Sequence, residues 1–475
     1  MTSWLLGLAI FLIHLLGFVS AVLALLSSRT SQGAIAWILS LITLPYVAVP
    51  AYWIFGQPRF YGYVSARGER DTVLRRVLVR YREQLEPFVA ETRDPDVRAL
   101  EQLAMMPMTS GNRAELLIDG ETTFDSLFDG IERAEEYILI QFFIVRNDAL
   151  GTELKQRLQR AAARGVRVYF LYDEVGSHKL NEGFLRDLTA SGVEVSAFRS
   201  SRGFRHRFQL NFRNHRKVLV VDGREGWVGG FNVGVEYLGQ GRHGPWRDTH
   251  LKLTGPSALG LQEAFWEDWH WATGEVISLS WAPQVTVEAC DEACHKVVIV
   301  PSGPADRQET ASLLVQHAIH SARERFWVTS PYFVPDLGVQ DALRLAAMRG
   351  VDVRIMIPER PDHLLVFLSA FSFLPDMLRA GVKVYRYQPG FLHQKVMLID
   401  DTAASVGTVN LDNRSFRLNF EITAFLPDRH FAAQVRLMLE RDFTDCRRVS
   451  LDEITSRPLW RKLVSRAAYL LSPIQ

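Results

Sequence analysis

The sequence predicts an α/β protein: two tandem α/β/α repeats forming a pseudo-twofold unit, preceded by an N-terminal two-helix transmembrane hairpin. Three observations predict it. Two long uncharged stretches open the chain. From about Ala114 onward, Val-rich runs alternate with amphipathic stretches. The same succession of runs then returns in the second half. At 475 residues the chain is too long for one ordinary core. A hydrophobic content of 48% and a charged content of 23% fit a globular protein. The net charge of +1 does not favour nucleic acid as the main partner.

The first uncharged stretch is Trp4 to Leu26 and the second is Gly33 to Gly56. Each exceeds the roughly 20 apolar residues a helix needs to cross a bilayer. Ser27 to Gln32, with Arg29, would be the connecting loop. A cleaved signal peptide fits poorly, because Met1 to Ser3 carries no positive charge. Pro45 and Pro50 would weaken a soluble helix but are better tolerated in a membrane. Arg59, Arg67, Arg70, Arg75, Arg76, Arg80 and Arg82 follow the second stretch. The positive-inside rule therefore expects a multi-pass membrane protein with both termini and the part after the hairpin cytoplasmic. The three cysteines, Cys290, Cys294 and Cys446, suit reduced thiols in such a compartment. The C-x3-C-H spacing at Cys290 to His295 does not fit a metal site.

The expected units are the hairpin over 1–58, a charged helical connector on or near the membrane surface over 59–113, and repeats over 114–285 and 286–475. In the first repeat Tyr137 to Phe143 reads as a strand, Thr152 to Ala163 as a helix and Val166 to Leu171 as a strand. In the second, Phe326 to Phe333, Val339 to Met348 and Val351 to Met356 repeat that order. Arg164-Gly165-Val166 aligns with Arg349-Gly350-Val351 at an offset of 185. His215 aligns with His393 at an offset of 178.

The chemistry lies in two matched segments. His215-Arg-Lys217-(x4)-Asp222 leads to Gly229-Gly230-Phe-Asn232, and His393-Gln-Lys395-(x4)-Asp400 leads to Gly407-Thr408-Val-Asn410. The two His/Lys/Asp sets are the candidate catalytic groups. Val218 to Val221 and Val396 to Ile399 are short apolar runs, read as buried strands. Strand alternation puts each histidine and its lysine on one face and Asp222 or Asp400 on the other, which suits a supporting role for the aspartates. Gly229, Gly230 and Gly407 would let backbone approach a phosphate. Thr408 stands where the first copy has Gly230, and Asn232 and Asn410 can donate to phosphate oxygens.

Two histidines suit substitution at an anionic phosphodiester. One neutral imidazole attacks phosphorus. The other protonates the leaving alkoxide and then deprotonates the incoming alcohol. Lys217 and Lys395 would offset the negative charge, so neither metal nor cofactor is called for. Each histidine needs an orienting carboxylate. The candidates are Asp248, 33 residues after His215, and Glu421, 28 residues after His393.

The paired motif resembles the HKD signature of the phospholipase D superfamily. Arg213 to Lys217 with Gly229 to Asn232, and Gly407 to Glu421, resemble the two motifs of bacterial cardiolipin synthases. Ala36-Trp37, Leu44-Pro45 and Tyr52 to Gly56 resemble that family's N-terminal region. The resemblance covers nearly the whole chain. It implies phospholipase D-like repeats and a reversible phosphatidyl transfer through a phosphohistidine, in the bacterial inner membrane with the catalytic part facing the cytoplasm. Two phosphatidylglycerol molecules would give cardiolipin and glycerol, with His215 as nucleophile and His393 as acid/base. A hydrolase using water, or a transferase using another donor, is the nearest alternative, and a nuclease a more distant one. The basic cluster Arg202, Arg205, Arg207, Arg213, Arg216 and Lys217 suits an anionic headgroup as well as a nucleic acid. The D-G-x2-A-R pattern of CDP-dependent synthases does not occur. Two segments are candidates for membrane contact, His363 to Leu374 and Trp460 to Leu471, with the second expected to pack as a C-terminal helix. Oligomeric state is not readable.

Overall fold

The computed structural model describes residues 2–56, 59, 60, 63, 79, 81–92, 94–199, 211–242, 244–283 and 294–475. Helix α1 (Thr2–Ser27) is long and apolar enough to cross a membrane. The second apolar stretch is divided, where one continuous helix was expected. It forms α2 (Ser31–Thr43) and α3 (Pro45–Phe55). The break is local chemistry. Leu44 precedes a proline, which disfavours the helical region, and sits at φ −133°. Pro45 then starts the next helix, where its missing N–H costs nothing.

The two short helices double back. Trp37 and Tyr52 stack edge-on at 5.3 Å although 15 residues separate them. Helix α3 runs alongside α1 in the same direction. Tyr46 Oη lies 3.3 Å from His14 Nε2, Trp53 Nε1 donates to Ser20 Oγ at 3.2 Å, and Tyr52 Oη meets Ser27 Oγ at 3.5 Å. Gly17 gives α2 room, since a Cβ there would stand 2.6 Å from Leu41 O. Both ends of the α2–α3 hairpin touch the same part of the globular body. Arg29 pairs with Glu309 at 3.5 Å, and Arg59 donates to Arg307 O at 2.9 Å.

The described part of the connector packs into the body, not only along a surface. Phe60 and Tyr63 are buried against Trp271 and Phe420. Helix α4 (Pro95–Ala104) buries Val97 and Leu100. Arg67, Arg70, Arg75, Arg76 and Arg80 lie outside the described residues.

The first repeat contains β1 (Thr109–Ile118), α5 (Gly120–Arg133), β2 (Tyr137–Phe142), α6 (Ala149–Ala163), β3 (Arg167–Asp173), α7 (Glu182–Ala190) and β4 (Glu194–Phe198). It continues with β5 (Arg213–Asn214), β6 (Val218–Val221), β7 (Glu225–Gly229), β8 (Trp246–Arg247), β9 (Thr249–Thr254) and α8 (Ser257–Thr273). The second contains β10 (His295–Ser302), α9 (Thr310–Ser321), β11 (Arg325–Thr329), β12 (Phe333–Val334), α10 (Leu337–Met348), β13 (Asp352–Pro358), α11 (Leu364–Ala370) and α12 (Leu374–Arg379). Then come β14 (Lys383–Tyr387), β15 (Phe391–Leu392), β16 (Val396–Ile399), β17 (Ala403–Gly407), β18 (Leu411–Asp412), α13 (Asn413–Arg417), β19 (Asn419–Leu426), α14 (Arg429–Thr444), β20 (Cys446–Arg448), α15 (Leu451–Thr455) and α16 (Leu459–Tyr469).

One mixed sheet runs through both repeats in the order β20-β14-β13-β11-β16-β17-β19-β10-β1-β9-β7-β6-β2-β3-β4. Read outward from the β10–β1 seam, each strand meets its counterpart: β19 with β9, β17 with β7, β16 with β6, β11 with β2, β13 with β3, β14 with β4. That is the expected pseudo-twofold. Strands β6 and β16 are buried on both faces, so they read as unbroken apolar runs. The sheet begins at Thr109, a few residues before the expected start of the first repeat.

Candidate active site

His215 and His393 follow the two-residue strands β5 and β15, and each short strand pairs with the other repeat. Strand β5 runs parallel to β19, with Arg213 opposite Asn419 and Asn214 opposite Phe420. Glu421 therefore arrives beside His215. Strand β15 runs parallel to β8, with Phe391 opposite Trp246 and Leu392 opposite Arg247, which brings Asp248 beside His393. Main-chain bonds fix both registers: His215 N donates to Phe420 O at 2.9 Å, and His393 N to Arg247 O at 2.8 Å.

The orienting carboxylates are thus exchanged between the repeats. His215 Nδ1 lies 2.8 Å from Glu421 Oε2, and His393 Nδ1 lies 2.6 Å from Asp248 Oδ2. The expectation that each carboxylate serves the histidine preceding it in its own repeat is corrected. Crossing parallel pairs place each carboxylate across the seam. The carboxylates also differ in support. Glu421 Oε1 accepts from Ser415 Oγ at 2.8 Å and Asn419 Nδ2 at 3.1 Å. Asp248 Oδ1 accepts from its neighbour Thr249 N at 2.8 Å.

Electrostatics follow this difference. Burial pushes the His215 imidazole down to about 4, opposed by Glu421. Burial and then Lys395 hold His393 well below its usual range. Burial raises Asp248 to about 6. Glu421 is just as buried, yet the nearby His215 carries it below the usual carboxylate range. Lys217 and Lys395 are buried; burial lowers Lys217 well below its usual value and Lys395 to about 8. Lys217 Nζ donates to His215 O at 2.7 Å. Lys395 Nζ donates to His393 O and lies 2.7 Å from His393 Nδ1. We assign the Nδ1 proton to the Asp248 bond, because the carboxylate can accept it and an ammonium has no lone pair to do so. Each lysine depresses the histidine of the other repeat, so all four groups share one field.

The walls are unlike. Phe143 stands edge-on to His215 at 5.0 Å. Trp246 and Tyr237 pack on His393 at 5.3 and 5.7 Å. Behind the motifs sit two buried aspartates that the sequence analysis missed. Asp268 of α8 takes Arg216 at 2.9 Å, Asn214 at 2.7 Å, Gln141 at 2.9 Å and Tyr63 at 2.9 Å. Asp442 of α14 takes Arg247 at 2.8 and 3.0 Å and Gln394 at 2.9 Å. A signal for them existed: Asp268-Trp269 and Asp442-Phe443 stand 20 and 21 residues after the two carboxylates. Nothing comparable marks Phe143, Tyr237 or Trp246. Arg216 is therefore a buried structural cation and not part of an exposed basic patch, and Arg202, Arg205 and Arg207 lie outside the described residues.

Asp222 and Asp400 are not beside the histidines, which corrects their inclusion among the catalytic groups. Each ends its strand in the left-handed region, at φ 54° and 51°. The Asp222 carboxylate accepts from the N–H groups of Glu135, Glu136 and Tyr137. Asp400 does the same for Arg323, Glu324 and Arg325. Five residues of extended chain put each roughly 16 Å from its lysine. The glycines do not cradle a ligand either. A Cβ at Gly230 would collide with the Asp248 carboxylate, and one at Gly407 would stand 2.6 Å from Ile422 O. Thr408 instead accepts from Ile422 N at 2.9 Å. Asn232 is committed to the scaffold, accepting from Ile144 N at 3.1 Å and donating to Tyr237 Oη at 2.9 Å. Asn410 differs, since its amide oxygen is buried without a partner.

With this geometry in hand, known proteins give a consistent comparison. A family model described as "Cardiolipin synthase, PLD-like domain" matches residues 127–242 and 315–443, one segment per repeat. The chain belongs to the phospholipase D-like cardiolipin synthase family. It is 47% identical to cardiolipin synthase A of Pseudomonas entomophila (strain L48), over 98% of both chains. It is 48% identical to cardiolipin synthase A of Pseudomonas aeruginosa (strain LESB58), over 99% of this chain and 96% of that one. The fold is shared with phosphatidylserine synthase of Haemophilus influenzae Rd KW20, at TM-score 0.61 and 15% identity over 80% of this chain and 100% of that one.

Proposed function

We propose that this chain transfers a phosphatidyl group between two phosphatidylglycerol molecules, giving cardiolipin and glycerol. One observation carries the reading: two buried histidines in one field, each oriented at Nδ1 by a carboxylate from the opposite repeat. That leaves Nε2 of each ring for chemistry. His215 is the nucleophile. Its imidazole is neutral at pH 7, and Glu421, held ionised, stabilises the cation formed on attack. The Nε2–P bond forms as the P–O bond to glycerol breaks, and His393, doubly protonated once the anionic diester is bound, gives the glycerol alkoxide its Nε2 proton. His393 then takes the proton from a hydroxyl of a second phosphatidylglycerol. That oxygen attacks phosphorus and releases His215. Lys217 and Lys395 balance charge on the phosphoryl oxygens, and an anionic diester in turn favours their charged forms. The Nδ2–H group of Asn410 is the candidate donor to the same oxygens.

Purified protein in detergent with phosphatidylglycerol and EDTA tests this by mass spectrometry. Cardiolipin with free glycerol is the expected product. Phosphatidic acid as the main product would instead make the chain a hydrolase.

The membrane arrangement follows from the fold. Helix α1 crosses the inner membrane, and α2–α3 re-enters beside it without crossing, because both its ends touch the catalytic body. The N-terminus and the catalytic body then lie on opposite sides, unlike the expectation of two spans. Arg29 joins Arg59 and Arg82 on the catalytic side, which the positive-inside rule makes cytoplasmic. Cys294 is disulfide-bonded, against the expectation of reduced cysteines, while Cys446 is free. A cystine by itself favours the oxidising side. The arginines weigh more, because they act during insertion. A cysteine placed at Thr30 decides: it reacts with an impermeant maleimide from the same side as the catalytic body if α2–α3 re-enters, and from the opposite side if it spans.

A further inference from the structure

Helix α16 is amphipathic the wrong way round for a packed helix. Ser465 and Ala468 face the protein, while Leu459, Trp460, Leu463 and Val464 face out, with Leu463 62% exposed. Its inner contacts are modest: Ser372 Oγ donates to Ser465 O at 3.2 Å, and Phe373 meets Tyr469 at 5.3 Å. Arg461, Lys462 and Arg466 flank the apolar stripe, and the helix has no acidic residue. Neighbouring α11 exposes Leu364 and Leu365 beside it. A contiguous outward apolar face of this kind marks a contact surface. Basic residues along its edge suit an anionic lipid interface.

Two further observations say which surface covers it. One cleft is lined by Thr30 together with Leu337, Tyr469 and Pro473, so the end of α16 adjoins the end of α1. And α11 starts at the catalytic cleft. Asp362, just ahead of it, accepts from Tyr332 Oη at 2.7 Å and raises the proton affinity of both His393 and Lys395.

We propose that α16 and α11 form a second membrane contact, lying in the headgroup region of the bilayer that α1 crosses and feeding lipid over the α11 edge to His393. This rests on the phosphatidyl-transfer reading above. The test uses full-length protein in phosphatidylglycerol vesicles, with Leu463→Cys carrying an NBD fluorophore in a Cys446→Ser background. The expected emission is blue-shifted and quenched by lipids spin-labelled near the headgroup. Water-like emission, or blue-shifted emission that lipid quenchers do not reach (a second protein surface), overturns the proposal. A Trp460→Glu/Leu463→Glu enzyme adds a kinetic arm. It should lose about tenfold on bilayer phosphatidylglycerol and keep its rate on monomeric dihexanoyl-phosphatidylglycerol. An unchanged bilayer rate, or equal loss on both substrates, overturns it. Wild-type turnover of the short-chain lipid separately reports whether the transfer reading holds.

Discussion

The two half-sites share a motif and differ in nearly everything around it. His215 has Phe143 edge-on and a carboxylate that also accepts from Ser415 and Asn419. His393 sits among Trp246, Tyr237 and Phe391, with a carboxylate raised to about 6. A firmly ionised partner suits a histidine that must become a cation by bonding to phosphorus. A partner whose proton affinity lies nearer neutrality suits a histidine that trades protons. On the proposed mechanism the surroundings thus divide a duplicated motif into two roles.

The largest test separates the roles outright. His215→Ala and His393→Ala should each lower transfer by about 10³- to 10⁴-fold. Labelling with radiolabelled donor, quenched in detergent at mildly alkaline pH because an N–P bond is acid-labile, should recover phosphoenzyme from His393→Ala and none from His215→Ala. The reverse pattern would swap the assignments. Next come the exchanged carboxylates. Glu421→Gln should cost about 10²-fold or more, and Glu421→Gln combined with His215→Ala should be no slower than His215→Ala alone. If Glu421→Gln instead proves silent in a His393→Ala background, the pairing across the seam is wrong.

A pH profile sharpens the lysine comparison. Lys395, lowered by burial to about 8, is charged below that pH and neutral above it. The kcat/KM profile should therefore carry a limb that falls as pH rises through about 8, beside a limb that rises with pH as Asp248 ionises near 6. Lys395→Arg, whose guanidinium stays charged, should flatten the falling limb even at a reduced rate. The smallest catalytic effect is expected at the strand ends. Asp222→Asn and Asp400→Asn weaken bonds to three N–H groups at a left-handed residue. Each should cost about 1–3 kcal/mol of stability, read as a lower Tm, while kcat stays within about threefold. A catalytic collapse without a change in Tm would return these aspartates to the active site.

The sequence by itself determined the duplication, the sheet-forming runs and the two His/Lys pairs proposed to react. Those features are periodic or locally spaced: the β6 and β16 runs are apolar because both faces are buried, and the second histidine could be found from the first. It also contained the break in the second apolar stretch, as Leu44-Pro45, although length and hydropathy alone read that stretch as one span. Only the tertiary structure decided the rest. Spacing suggests that Asp248 serves His215, but β8 pairs with β15 and β5 with β19, and strand pairing across a seam leaves no mark on local spacing. The glycines read as phosphate contacts make room for Asp248 and for the β19 backbone. Asp222 carries the motif's third letter, yet a strand length separates it from Lys217. Which side chains meet is set by long-range backbone hydrogen bonds, and those exist only once both repeats have folded against each other.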